Sequence, residues 1–255
     1  MGKNKLKRFA DNLSYEHVFE PAYTIIESDS FENKGKWNSF FGNNNPITIE
    51  LGCGKGEYTI GLAEMYPERN FIGIDLKGSR LWVGATYAKK HNLRNVAFIR
   101  SRVDFIKALF AEKEVAEIWI TFPDPQNKKR RKRLTFPRFL KLYSEILQEK
   151  GRLNLKTDSN KLFHYTKSVV EKNNLTLITA SEDIYNSEIL NKELQIETFY
   201  ESLFTAKGDN INFISFMLDA AEFVDSDFDE DLYDNAVAKI PHNERVKPSK
   251  LTHLK

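Results

Sequence analysis

The segment Glu50-Leu-Gly52-Cys53-Gly54-Lys-Gly56 sets three glycines at alternate positions behind a carboxylate. Glycine lets a backbone approach a ligand closely and adopt positive φ where a side chain would clash. An apolar run precedes the segment and a helical pattern follows it, so the glycines fall at a strand-to-helix turn. A dinucleotide fingerprint has its third glycine one residue later, where this chain has Glu57. Glu50 would repel a pyrophosphate but suits an ammonium or sulfonium cation, which favours S-adenosylmethionine over NAD. Asp75 ends the second apolar run, about 20 residues on, where an acid can accept both ribose hydroxyls. Glu50, Gly52, Gly54, Gly56 and Asp75 are therefore the expected cofactor residues. Cys53 reads as a small packing residue rather than a nucleophile. After the third run, Arg100-Ser-Arg102-Val-Asp104 leaves the adenine contact open: either Asp104 reaches in from the next helix or backbone groups serve.

A second constellation follows the fourth run, Glu117-Ile-Trp-Ile-Thr-Phe-Pro-Asp124-Pro. Prolines on both sides restrict the backbone at Asp124 and hold its carboxylate at little ordering cost. Asp124 is the expected catalytic acid and also borders the cofactor. Close behind comes the unbroken cationic run Lys128-Lys-Arg-Arg-Lys-Arg133. Beside a candidate site this run points to an anionic macromolecule, and neutralising about four to six phosphates would give a log-log salt slope of about −4 to −5. Such contacts position a nucleic acid without reading its sequence. Lys156-Thr-Asp158 falls at the end of the fifth run, where Asp158 either meets substrate or caps the following helix. Thr198-Phe-Tyr-Glu201 and Lys207-Gly208 precede the last run, as a candidate far wall of the site.

Elements that position these residues can be read from periodicity. Strands are expected over 47–51, 71–75, 96–99, 117–121, 152–156, 175–180 and 211–218, with helices over 58–65, 79–91, 103–110, 137–148, 161–173 and 197–204. The alternation predicts an α/β fold: a doubly wound, mostly parallel, seven-stranded Rossmann-like sheet with helices on both faces. Ligands then sit at the carboxyl ends of the strands, near the topological switch point. Residues 1–45 fall outside the repeat and read as an N-terminal arm that packs on the domain or contacts substrate. The domain spans 46–219, and the acidic then basic stretch 220–255 reads as a flexible tail.

At 255 residues and 41% hydrophobic, the chain can bury a core of its own. No apolar run approaches the roughly 20 residues of a membrane span, and no secretory-type apolar stretch follows the basic N-terminus, so a soluble cytoplasmic protein is expected. One cysteine and five scattered histidines predict no disulfide and no metal site. The net charge of +2 identifies no partner, and oligomeric state is not legible.

Taken together, the segments Glu50–Gly56, Gly73-Ile-Asp75, Phe122-Pro-Asp-Pro125 with Lys128-Lys-Arg, Lys156-Thr-Asp158, and Thr198-Phe-Tyr-Glu201 followed by Lys207-Gly208 resemble the bacterial tRNA (guanine-N7-)-methyltransferase family. They occur in the family's order across roughly 47–218. The resemblance implies methylation of a guanine in the tRNA variable loop, usually position 46. It also implies cofactor roles for Glu50, Asp75 and Asp124, and substrate roles for Lys128, Asp158, Thr198 and Glu201. Two positions depart from the family: Gln126-Asn127 stands where Trp is frequent, and Arg102 where Asp or Asn is usual. The alternatives are methylation of another RNA or a protein, or a non-catalytic RNA-binding protein on the same fold.

Overall fold

The computed structural model describes residues 2–205 and 209–238. Strand β1 (Val18–Phe19) lies at one edge of an eight-stranded sheet, whose centre is β2 (Ile47–Leu51), buried at every position. Burial on both faces explains why Ile-Thr-Ile-Glu-Leu reads as a nearly continuous apolar run. The remaining strands are β3 (Asn70–Asp75), β4 (Val96–Arg100), β5 (Val115–Thr121), β6 (Leu147–Thr157), β7 (Leu177–Ser181) and β8 (Asn212–Met217), in the order β1-β4-β3-β2-β5-β6-β8-β7. All neighbours are parallel except β8, which runs against β6 and β7.

Alternate strand residues feed two apolar layers. Ile49, Ile72 and Ile118 join one; Phe71, Phe98 and Trp119 join the other. Helices α1 (Gly2–Leu13), α2 (Tyr23–Glu27) and α3 (Trp37–Phe41) precede the central strand. Helices α4 (Glu57–Met65) and α5 (Gly78–Lys90) cover the second layer, and α6 (Ile106–Leu109), α7 (Pro137–Ile146) and α8 (Asn160–Lys172) cover the first. Pro137 opens α7, where its fixed φ is already helical and its missing N–H costs nothing. From β2 the chain winds outward through β3 and β4, then returns beside β2 at β5 and winds the other way. The switch point therefore lies between β2 and β5, and Gly52 and Phe122 follow the carboxyl ends of these two strands.

The seven expected strands are present, and an eighth, β1, comes from the N-terminal arm. Two residues are too short to show alternation, which is why the sequence does not announce it. Residues 147 and 148, expected in a helix, instead begin the long strand β6. The arm packs on the domain. Asn12 Nδ2 donates to Gly78 O at 2.9 Å, Arg8 to Ser79 O at 3.1 Å, and Trp82 Nε1 to Asp11 at 2.9 Å, which clamps α1 along α5. Trp37 is fully buried between Phe19 and Phe110, and its indole N–H donates to Leu109 O at 3.0 Å.

The last two helices among the described residues are α9 (Phe199–Thr205) and α10 (Glu230–Ala238). Of the tail expected to be flexible from 220, residues to Ala238 are described, and they are tied to α8. Tyr165 donates to Asp225 at 2.9 Å, Lys161 to Asp234 at 2.7 Å, and Asn173 pairs with the Val224 backbone. Residues 239–255 lie outside the described residues, as does Lys207-Gly208.

Truncating a large buried aromatic costs about 3–5 kcal/mol. Trp37→Ala should lower the free energy of unfolding by about that amount in a denaturant titration; a loss under about 1 kcal/mol would mean that the arm is dispensable for folding.

Candidate active site

Gly52, Gly54 and Gly56 all have positive φ (76°, 57° and 75°), so the turn after β2 needs residues without a Cβ penalty. At Gly56 space is a further constraint, because a Cβ would lie 2.7 Å from the Phe98 ring. Four of the loop's N–H groups are occupied. Gly52 and Cys53 donate to Ile74 O at 2.8 and 3.1 Å, Gly54 donates to Asp75 at 3.0 Å, and Gly56 donates to Cys53 O at 2.8 Å. A loop whose amides already serve β3 makes a poor cradle for a pyrophosphate, which removes the physical basis for a dinucleotide here.

Over the switch point the structure opens two adjoining cavities of about 300 and 500 Å³. They share Gly52, Arg80, Phe122, Pro123 and Asp124. The first continues along Gly54, Lys55 and Glu57 to Asp158, Thr198 and Tyr200. The second runs from Asp75 and Leu76 to Ser101, Arg102, Asp104 and Arg138. Asp75, at the end of β3, accepts from Gly54 N and Lys77 N through different oxygens, leaving lone pairs on each for a diol. The donor set fits S-adenosylmethionine: an acid for the ribose in one cavity, and carboxylates for cationic groups in the other.

Asp124 is exposed where the cavities meet, and its carboxylate is steadied by Gln126 N at 2.9 Å. Phe122 before it has φ 45°, an uncommon conformation for a bulky residue, and Gln126 after it has φ 51°. The strained segment is pinned from outside, since Phe122 N donates to Lys156 O at 2.9 Å and Arg133 Nε to Pro125 O at 3.0 Å. Asp104 borders the second cavity but is paired to Arg102 at 3.1 Å and Arg138 at 3.0 Å. Burial works to raise its pKa, yet the two guanidiniums carry it below the ordinary range. Asp158 lines the first cavity, and burial pushes its carboxyl up. The capping role left open for it belongs to Ser159, whose hydroxyl accepts from Leu162 N at 3.2 Å.

Three expected site residues stand behind the cleft rather than in it. Gly56 packs on Phe98. Glu50 is buried, with one oxygen accepting from Thr59 N at 2.9 Å and from the Thr59 hydroxyl, the other from Thr121 at 2.5 Å. Glu201 is fully buried against Lys156 at 2.8 Å and accepts from Tyr185. Thr198 and Glu201 form a reciprocal cap on α9: Glu201 N donates to Thr198 Oγ1 at 3.1 Å, and Thr198 N to the Glu201 carboxylate at 3.4 Å. Thr-x-x-Glu ahead of a helix is the sequence signature of that box. Glu201 therefore lies behind the cavity wall, on which Thr198 has a place.

Lys128 is exposed, four residues beyond Asp124. The cationic run is not uniform, however. Arg133 is fully buried and bonded to Glu230 at 2.9 Å, and Arg130 reaches Asp225, Ser226 and Phe228 O. Lys128, Lys129, Arg131 and Lys132 remain exposed. Tyr200 lines the first cavity as part of the expected far wall, whereas Arg80 escaped sequence reasoning, although a basic residue in the first turn of α5, against the helix dipole, was a usable signal.

A family described as "Putative methyltransferase" matches residues 44–214. A tRNA (guanine-N(7)-)-methyltransferase of Bacteroides thetaiotaomicron is 49% identical over 219 residues, covering 86% of this chain and 87% of the relative. One from Christiangramia forsetii is 46% identical over 85% of this chain and 98% of its own length. The chain belongs to the tRNA (guanine-N(7)-)-methyltransferase family. Its cofactor is S-adenosylmethionine. Among solved structures, the 16S rRNA methyltransferase KamB superposes with TM-score 0.56 at 11% identity over 72% of this chain and 92% of that one, a likeness of fold. Among the described residues no helix is long and apolar enough to cross a membrane.

Burial raises the Glu50 carboxyl from its ordinary 4.5 to about 7, against the pull of the Thr121 and Thr59 bonds. A carboxyl raised in the fold binds its proton preferentially in the folded chain. Its stabilising contribution is therefore complete below about pH 4.5 and is lost as pH rises to about 7. Between pH 5 and 7.5 the ligand-free protein should lose stability relative to Glu50→Gln by up to about 1.4 kcal/mol per unit; parallel curves for the two proteins would refute the assignment.

Proposed function

We propose that the protein transfers a methyl group from S-adenosylmethionine to N7 of a guanine in tRNA, position 46 of the variable loop. The observation that carries this reading is Asp124, held at the junction of the two cavities with the exposed cations of the same loop beside it. S-adenosylmethionine supplies an electrophilic methyl group on a sulfonium. Guanine N7 carries an in-plane lone pair, so attack needs no prior proton removal and no strong base. The protein's contribution is alignment, worth several kcal/mol when reacting atoms are held at about 3 Å, together with electrostatics.

In this reading Asp75, Gly52 and Gly54 hold the cofactor, and Asp104 with its arginine partners borders the adenosine. Glu50 and Gly56 act from behind by fixing the loop. Asp124 faces the purine, where its charge favours the cation that develops on the base or accepts the base's hydrogen bonds. Asp158 and Thr198 supply the far wall, and Glu201 holds Thr198 in place. A-form RNA buries N7 in a deep, narrow groove, so the guanine must be loop-presented or splayed from its stack. Lys128, Lys129, Arg131 and Lys132 hold the flanking backbone.

Asp124→Ala should lower methyl transfer to bulk tRNA by about 100-fold or more while leaving the fold intact. Wild-type turnover in a folded variant would sink the proposed role. Neutralising Lys128, Lys129, Arg131 and Lys132 together should weaken tRNA binding and make the log-log salt slope shallower by about 3. Unchanged affinity would exclude this loop as the docking element.

A further inference from the structure

The methyl donor's amino-acid part ends in a carboxylate, and nothing described so far receives it. The walls of the first cavity are acidic, with Glu57, Asp124 and Asp158 along it. The glycine-loop amides of Gly52, Cys53, Gly54 and Gly56 are spent on Ile74 O, Asp75 and Cys53 O. The first turn of α4 offers little to an anion, because it carries Glu57 and its Thr59 amide serves Glu50. Of the loop amides only that of Lys55 lacks a partner among the described residues, so a carboxylate in this cavity draws chiefly on a side-chain cation.

Two cations line it, Lys55 and Arg80. Lys55 lies 3.9 Å from Glu57 and 3.8 Å from the Phe199 ring centre. Arg80 borders both cavities, is half-buried, and among the described residues makes no side-chain hydrogen bond or ion pair. Its described side-chain contact is the Tyr200 ring, 5.6 Å from the guanidinium carbon. A guanidinium can stack one face on an aromatic ring while its in-plane N–H fork meets a carboxylate. It also stands in the first turn of α5, whose positive end disfavours a resident cation unless an anion joins it.

We infer that Arg80 binds the carboxylate of the methionyl part of S-adenosylmethionine through its N–H fork, with Tyr200 stacked on the guanidinium. This makes Arg80 a cofactor-binding residue and Tyr200 a positioning residue. It also links the cofactor directly to the Thr198–Glu201 wall, because Tyr200 belongs to that segment. The inference rests on S-adenosylmethionine as the cofactor and is independent of which nucleotide is methylated.

The test is equilibrium binding of S-adenosylmethionine, decarboxylated S-adenosylmethionine and methylthioadenosine to wild-type, Arg80→Ala and Arg80→Lys proteins, without tRNA. The wild type should prefer the carboxylated donor over the decarboxylated one by about 10- to 100-fold, the range of a charge-assisted fork. In Arg80→Ala that preference should collapse, and in Arg80→Lys it should be intermediate, while methylthioadenosine binds all three alike and reports an intact adenosine cavity. Retention of the wild-type preference in Arg80→Ala overturns the assignment. Failure of the wild type to bind any of the three ligands would overturn the cofactor reading itself.

Discussion

The carboxyl of Glu50 joins the three pieces from which the cleft is made. It sits on the central strand, one of its oxygens takes the Thr59 amide and hydroxyl of the helix after the glycine loop, and the other takes the Thr121 hydroxyl at the end of β5. Because β2 and β5 flank the switch point, this one group sets the distance between the glycine turn and the Phe-Pro-Asp-Pro segment. A buried acid is an expensive way to do this, since removing it from water disfavours its charged form. Three hydrogen bonds and a proton it readily keeps are what make the position tolerable.

A similar economy governs the opposite wall. Lys156 is fully buried and donates to Leu194 O, Ile196 O and Glu201, so a strand residue fixes the chain that leads into α9. Burial lowers the Lys156 pKa, while Glu201 works in the other direction. Breaking such a pair leaves one charge buried and uncompensated, which costs more than the pair contributes. The residues in view of a ligand are thus held by charged residues out of view of it.

Much of this was legible in the sequence because strand ends and glycine spacing are local. The loop at Glu50–Gly56, Asp75 and Asp124 all lie where the periodicity placed them. Which side of the backbone each side chain takes was less legible. Glu50, expected to face the cofactor, turns inward because the threonines at 59 and 121 are within reach, a contact spanning 71 residues. Glu201 turns inward to Lys156 and Tyr185, although its Thr-x-x-Glu spacing was readable as a cap. The cationic run misled in another way: six like charges in sequence do not reveal that Arg130 and Arg133 have partners beyond residue 220. The eighth strand was missed because two residues carry no period.

Arg133 bridges Pro125 O, beside Asp124, to Glu230, 97 residues further along. The loop that carries Asp124 and the cations is therefore completed by a part of the chain made long after it. During synthesis the sheet can assemble around β2 and β5 well before residue 230 emerges, but the loop that follows Asp124 lacks one of its anchors until then. A nascent chain would carry its cations on an unfastened loop. The cationic loop would take its final register only after residue 230 has been made.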